Sequence, residues 1–254
     1  MYNIGITNYI NAYPFHAAFG ENVLDPEATL FFDVPTRLNA LLREKYLDIA
    51  LISSFEYLTG DYRFLFPFGI GSCGRIYSVN FYLREDLLLS NTLSCAVTDE
   101  SATSVNLLKV LAHNFWKKTI LLSPIDRNIA FEKNESLLLI GNEALANQHI
   151  DGFKTIDLAQ AWYEATGLGF VFALFATKKE IGEREKMFCQ KLARSLQWAK
   201  DNFALILEMA QKSSHHDLSF LRTYYDAHHY VLNEKDLQGL NHFSNLLISK
   251  EVYV

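Results

Sequence analysis

The stretch SCAVTDESATSVNLL (94–108) places Ser101, Thr103 and Ser104 where a short apolar strand gives way to a helix. The first turn of a helix has unpaired backbone amides and a partial positive charge. Hydroxyls grouped there can hold a carboxylate without help from an arginine. The same residue types also cap helices, and the two roles are compatible: one hydroxyl caps while the others bind. Asp99 and Glu100 would repel an anion if they pointed inward, so they are expected to face away. Ser53 and Ser54 form a second group after the apolar run LDIALI. They sit at the carboxyl end of a strand, where open α/β sheets bind ligands, or they cap the helix that begins near Phe55.

Other reactive residue types are less informative. His215 and His216, and His228 and His229, are adjacent pairs. Neighbours in sequence do not share a helix face, so no metal site is expected from them. Cys73, Cys95 and Cys189 form no CxxC pair, which points to reduced thiols in a cytoplasmic protein rather than to zinc or disulfides.

The elements that must position these groups come from a chain of 254 residues, half of them hydrophobic, long enough for one large domain or two small ones. A net charge of −6 with no basic stripe argues against a nucleic-acid partner. The N-terminal MYNIGITNYINAYPF lacks the positive region and long apolar run of a signal peptide. No stretch reaches the roughly 18–20 apolar residues of a membrane helix.

YNIGIT, TLFFDV and LDIALIS read as strands, and PTRLNALLREKY reads as a helix with Pro35 in its first turn. Alternation of strand and helix implies parallel strands joined by crossovers. FLFPFGI and RIYSVNFYLR add two β-like segments. The pattern then restarts: TLSCAVT, KTILLS, SLLLIG and GFVFALFATK as strands, SATSVNLLKVLAHNF and NEALANQH as helices. From residue 180 the chain reads as helical, with EREKMFCQKLARSLQWAKDNFALILEMAQK as its longest run. The expected organisation is α/β in two lobes. Residues 1–84 plus 176–254 form a discontinuous lobe I with a helical C-terminal segment. Residues 85–175 form an inserted lobe II, with a ligand cleft between the lobes.

Six segments occur in order: ITNYINAYPF, VPTRLNALL, LDIALISSFEY, TDESATSVNLLKVL, LLIGNEAL and DLAQAWYEATGLGFVFALFA. Together they resemble chorismate dehydratase, the first dedicated enzyme of the futalosine route to menaquinone, over residues 4 to about 177. The resemblance implies a periplasmic-binding-protein-like fold of type 2. It also implies a hydro-lyase reaction in which chorismate loses water and becomes 3-[(1-carboxyvinyl)oxy]benzoate, with no metal and no organic cofactor. Asn11 occupies the Asn of the family's Asn-x-x-Pro pattern, and Ser78 aligns with a family Ser. Both are implied as catalytic, against local readings as a turn Asn before Pro14 and an ordinary strand Ser. Ser53, Ser54, Ser101, Thr103, Ser104, Gly167 and Phe170 are the expected substrate-binding residues. Gly167 would admit a close backbone approach, and Phe170 would pack on the substrate ring or in the core. Asn142 is expected to cap the helix of LIGNEAL.

The chain departs from the family at Ala102, Ala165 and Gly169, where Arg, Trp and Pro are frequent. Ala102 removes a carboxylate partner that Arg37, Arg75 or Arg84 would have to replace. Neither Asn nor Ser is a strong base. The enolpyruvyl carboxylate of the substrate is therefore the expected proton acceptor. The competing readings are a cytoplasmic protein that only binds a small anion, and an enzyme like 1,4-dihydroxy-6-naphthoate synthase, whose Ser-Pro-Cys-Pro-Asn type of opening is absent. The expected partner is the small-molecule substrate, with no membrane contact and no oligomer specified.

Overall fold

The computed structural model describes residues 2–24, 27–98, 100–125 and 131–248. The chain divides into two units. The first takes the chain up to Gly71 together with Val171–Asn233, and the second takes Ser72–Phe170 and the segment from Glu234. This division differs from the lobes expected from the sequence. Residues 72–84 belong to the second unit because their strand pairs inside the second sheet, and the last helix packs there too. Among the described residues, no helix is long and apolar enough to cross a membrane.

The first unit is built on strands β1 (Asn3–Thr7), β2 (Thr29–Asp33), β3 (Ile49–Ser53), β4 (Arg63–Ser72), β10 (Phe170–Thr177) and β11 (His229–Val231). Their order is β11-β4-β10-β3-β1-β2. β1 runs parallel to both β2 and β3, as the β-α-β reading requires, while β10 returns antiparallel beside β3. β3 is buried along its whole length, as expected of a strand covered on both faces. Its helices are α1 (Tyr13–Gly20), α2 (Pro35–Arg43), α3 (Ser54–Thr59), α7 (Glu183–Asp201), α8 (Phe203–Ser214) and α9 (Leu218–Asp226). Ile4, Ile6, Phe15, Leu51, Phe175 and Phe188 meet in its core.

The second unit holds β5 (Val79–Arg84), β6 (Thr92–Val97), β7 (Thr119–Pro124), β8 (Ser136–Ile140) and β9 (Phe153–Asp157), in the order β7-β6-β8-β5-β9. β6 is parallel to β7 and β8, and β5 is antiparallel to β8 and β9. Its helices are α4 (Ala102–Val110), which continues as a wider π turn over Leu111–Trp116, α5 (Gly141–Ala146), α6 (Leu158–Thr166) and α10 (Glu234–Ile248). Two elements here, β9 and α6, have no counterpart in the strand-and-helix reading of the sequence.

Three local differences have plain causes. The long helix expected from residue 183 breaks at Asn202, which leaves helical geometry (ψ 35°) and bonds its amide back to the Trp198 carbonyl at 2.9 Å. The segment around His229 is an edge strand on β4 rather than the end of a helix, since α9 stops at Asp226. Asn142 does not cap α5. The cap position is Ile140, without a side-chain bond, and Asn142 lies exposed one residue into the helix.

Two packing details support the site elements. At the end of β3, Ser53 Oγ accepts from the Glu56 amide (3.3 Å) and caps α3. Buried Asn39 on α2 grips the same residue twice, donating to Ser53 Oγ and accepting from the Ser53 amide, both at 3.0 Å. In the second unit, α10 lies directly on Gly169. A Cβ at Gly169 would stand 2.3 Å from Asp236 Oδ1, and one at Gly239 would stand 1.7 Å from the Gly169 carbonyl oxygen. This contact accounts for a residue without a side chain at position 169.

Two outcomes are expected. Gly239→Ala forces α10 off the Gly169 backbone and lowers stability by about 1–3 kcal/mol, read as a lower urea midpoint. Ser53→Ala removes the cap and strands the Asn39 amide, at about 0.5–2 kcal/mol, read the same way with unchanged far-ultraviolet circular dichroism.

Candidate functional site

In the first unit the sequence-marked residues gather at one edge of the sheet, because parallel β1 and β3 end together. Past the end of β1 the chain forms a short 3-10 turn (Ile10–Ala12) that carries Asn11 and leads into α1 through Pro14. Tyr225 on α9 donates its hydroxyl to the Ile10 carbonyl at 2.7 Å and fixes that turn. Asn11 Oδ1 is shut off from solvent and has no hydrogen-bond partner. A buried amide oxygen left without a donor costs about 1–3 kcal/mol, so this acceptor is one that a bound donor would satisfy. Ser53 and Ser54 follow β3 at the same edge. Both are buried, and Ser54 gives its proton to the Val171 carbonyl at 2.6 Å. Ser53 and Ser54 are therefore engaged in holding the strand ends.

The second unit repeats the arrangement. Parallel β6 and β8 end at one edge, and antiparallel β5 begins there, so Ser78 stands beside the ends of β8 and β9. The Ser78 carbonyl accepts from the Gly141 amide at 2.8 Å, where α5 starts. The Ser78 side chain is buried, and its hydroxyl has one long contact, 3.5 Å to the Ile76 carbonyl. Following β6, Ser101 caps α4: its Oγ accepts from the Ser104 amide (3.1 Å) and donates to Ser104 Oγ (2.9 Å). Thr103 and Ser104 are buried in the first turn. Ser101 thus takes the capping role that the sequence left open between capping and binding. Glu100 donates its amide to Thr98 Oγ1 at 3.2 Å, and Asp99 lies outside the described residues.

A residue that sequence reasoning missed ties this edge together. Asp157 ends β9 and caps α6, with Oδ1 accepting from Ala159 (3.0 Å) and Gln160 (3.1 Å). Its Oδ2 accepts from the Ile76 (2.9 Å) and Tyr77 (2.6 Å) amides, just before Ser78. Burial pushes the Asp157 carboxyl upward from its ordinary value, against the pull of these amides and of Arg75. Tyr77 has φ +67°, a left-handed conformation that costs a non-glycine residue about 1–3 kcal/mol. Only an Asp-before-Leu cap pattern in DLAQAW hinted at part of this.

The remaining candidates fall elsewhere. Gly167 is the left-handed C-cap of α6 (φ +70°), and a Cβ there would meet nothing, so backbone conformation accounts for the glycine. Phe170 is 1% exposed and packs edge-on against Trp162 and Phe243, which places its ring in the core. Of the basic residues weighed against Ala102, Arg84 pairs with Asp86 at 2.7 Å. Arg75 lies over the Tyr77 ring at 4.5 Å with Nη2 3.3 Å from Gln148 Oε1, and Arg37 is exposed on α2. His16, five residues past Asn11, is held near pKa 4 by burial and is neutral at pH 7. The arrangement offers neutral donors and acceptors at helix starts, suited to binding and orienting an anion.

Comparison with known proteins fits this geometry. A protein of Archaeoglobus fulgidus superposes with a TM-score of 0.79 at 19% identity, covering 99% of this chain and 98% of that one. The periplasmic aliphatic sulphonate binding protein SsuA of Escherichia coli gives 0.69 at 11% identity, over 99% and 87%. The fold is thus that of periplasmic binding proteins. Two curated relatives bear the name chorismate dehydratase. That of Thermus thermophilus is 28% identical over 97% of this chain and 95% of its own. That of Campylobacter jejuni is 32% identical over 68% of this chain and 66% of its own. With a family model described as menaquinone biosynthesis matching residues 2–248, nearly the full length that carries the two sheets and their helix starts, the chain belongs to the menaquinone biosynthesis family.

Proposed function

We propose that the chain is a chorismate dehydratase, a hydro-lyase that converts chorismate to 3-[(1-carboxyvinyl)oxy]benzoate and water in the cytoplasm, on the futalosine route to menaquinone. The observation that carries this reading is the relative named chorismate dehydratase that aligns with 97% of the chain. The local chemistry supports it. The substrate is a dianion, and at the start of α4 Ser101 fills the cap while Ser104, beside Thr103, accepts from Ser101 and keeps its own hydroxyl proton to offer a carboxylate.

In the elimination, the ring hydrogen beside the enolpyruvyl ether leaves as a proton. The neighbouring hydroxyl departs, and the ring becomes aromatic. Aromatisation drives the step, so the protein's task is to hold the reactive pose and to stabilise developing charge. Asn11 and Ser78 are the residues assigned to that task. The unpartnered Oδ1 of Asn11 accepts a hydrogen bond from the substrate, and its NH2 group donates one. The Ser78 hydroxyl, only weakly bound within the protein, turns toward the departing oxygen. Both groups are neutral, and burial holds His16 neutral as well. The proton acceptor is therefore the substrate's own enolpyruvyl carboxylate, poised next to the hydrogen it removes.

Incubation with chorismate, followed by absorbance and mass, yields an aromatic product lighter by one water. Chorismate that binds and is recovered unchanged identifies a binding protein instead. Asn11→Ala and Ser78→Ala fold normally and lose on the order of 10²-fold or more in kcat; wild-type turnover in either removes that residue from the reaction. An analogue lacking the enolpyruvyl carboxylate binds but does not aromatise, and normal turnover of it would assign the base to the protein.

A further inference from the structure

We infer that Asp157 is a positioning residue for Ser78, acting through the backbone of Tyr77 and not through contact with substrate. The inference rests on the reading of Ser78 as a residue of the reaction.

One oxygen of Asp157 is enough to cap α6, and Oδ1 does so. The other reaches a segment 80 residues earlier in sequence and takes the Ile76 and Tyr77 amides. On its far side the Tyr77 carbonyl accepts from Gln148 Nε2 at 2.8 Å and from Asn80 Nδ2 at 3.0 Å. The peptide groups before and after Tyr77 are therefore both gripped by side chains. Tyr77 is held at φ +67° between them, a conformation that a residue with a Cβ does not keep unaided. Ser78 is the next residue. Its hydroxyl has only a 3.5 Å contact of its own, too long to orient it. The direction of the Ser78 side chain is set by the backbone that enters it, and that backbone is set by the clamp.

The chemistry of the clamp is specific. A carboxylate has no donor and accepts all four amides at once. Asparagine of the same shape must turn its NH2 toward one amide pair and lose it. Cap and clamp thus cannot both survive Asp157→Asn. Gln148 holds the other side of Tyr77 from a half-buried position after α5.

The test is a double-mutant cycle in the full chain, with kcat and KM for chorismate read separately and folding followed by circular dichroism. Asp157→Asn lowers kcat about 10- to 100-fold, the scale of a misplacement near 1 Å, with KM changed less than about twofold. Added to Ser78→Ala, it lowers the residual rate less than about twofold, because a residue that acts through Ser78 has nothing left to position. Losses that multiply in the double variant, or wild-type kcat in both Asp157→Asn and Gln148→Ala, overturn the inference while Ser78 keeps its role. Wild-type turnover in Ser78→Ala overturns the reading of Ser78, and the inference with it. Should Asp157→Asn not fold, or keep the clamp by giving up the cap, Gln148→Ala carries the same cycle. A kcat loss absent from the Ser78→Ala background supports the clamp, and unchanged kcat or a multiplying loss overturns it.

Discussion

Where a parallel strand turns straight into a helix, the first amides of that helix have no partner in the chain's own ladder. Each sheet here collects such turns along a single edge, because β1 and β3 end side by side, as do β6 and β8. The antiparallel strands β10 and β5 start at those same edges. Polar residues on the turns must either satisfy the free amides or offer them to a ligand. Ser53, Ser101 and Asp157 do the first, each capping the helix that follows. Asn11 keeps an unmet oxygen and Ser78 a loosely held hydroxyl.

That Asn11 and Ser78, the residues proposed for the reaction, are neutral has an electrostatic logic. An ionised side chain buried beside a dianion would need its own partner and would pay heavily in desolvation. Amides and helix starts supply fixed partial charge with no such demand. Two histidines obey the same rule. His16 and His228 are both held near pKa 4 by burial and carry no charge at neutral pH. Asp157 sits among four amides and so has no lone pair to spare as a base.

The departures from the family pattern are accommodated separately. Gly169 is a packing solution within the second unit, where Asp236 and Gly239 of α10 crowd it and its carbonyl accepts the Trp162 indole N–H at 3.1 Å. Ala102 is the first residue of α4, and in the proposed function the carboxylate role of an arginine there falls to the amides of the turn. The structure gives no reason for Ala165.

Hydrophobic spacing alone determined most of the strands and the crossover logic of both units, since the fully apolar run at 49–53 has no stable place except between two covered faces. It marked Ser53, Ser101, Thr103 and Ser104 as helix-start residues, because the change from strand to helix pattern is local. It left Phe170 open between substrate ring and core, and did not reveal that Ser54 is committed to the Val171 carbonyl or that α10 belongs to the second unit. Those outcomes depend on partners far away in sequence. Tyr77 is the sharpest case. Nothing in GRIYSVNFY calls for a left-handed residue. Its two peptide groups are held by Asp157 and Gln148, more than 70 positions later. Periodicity records what a segment buries, whereas the hydrogen bonds that aim a side chain are made only when distant segments meet.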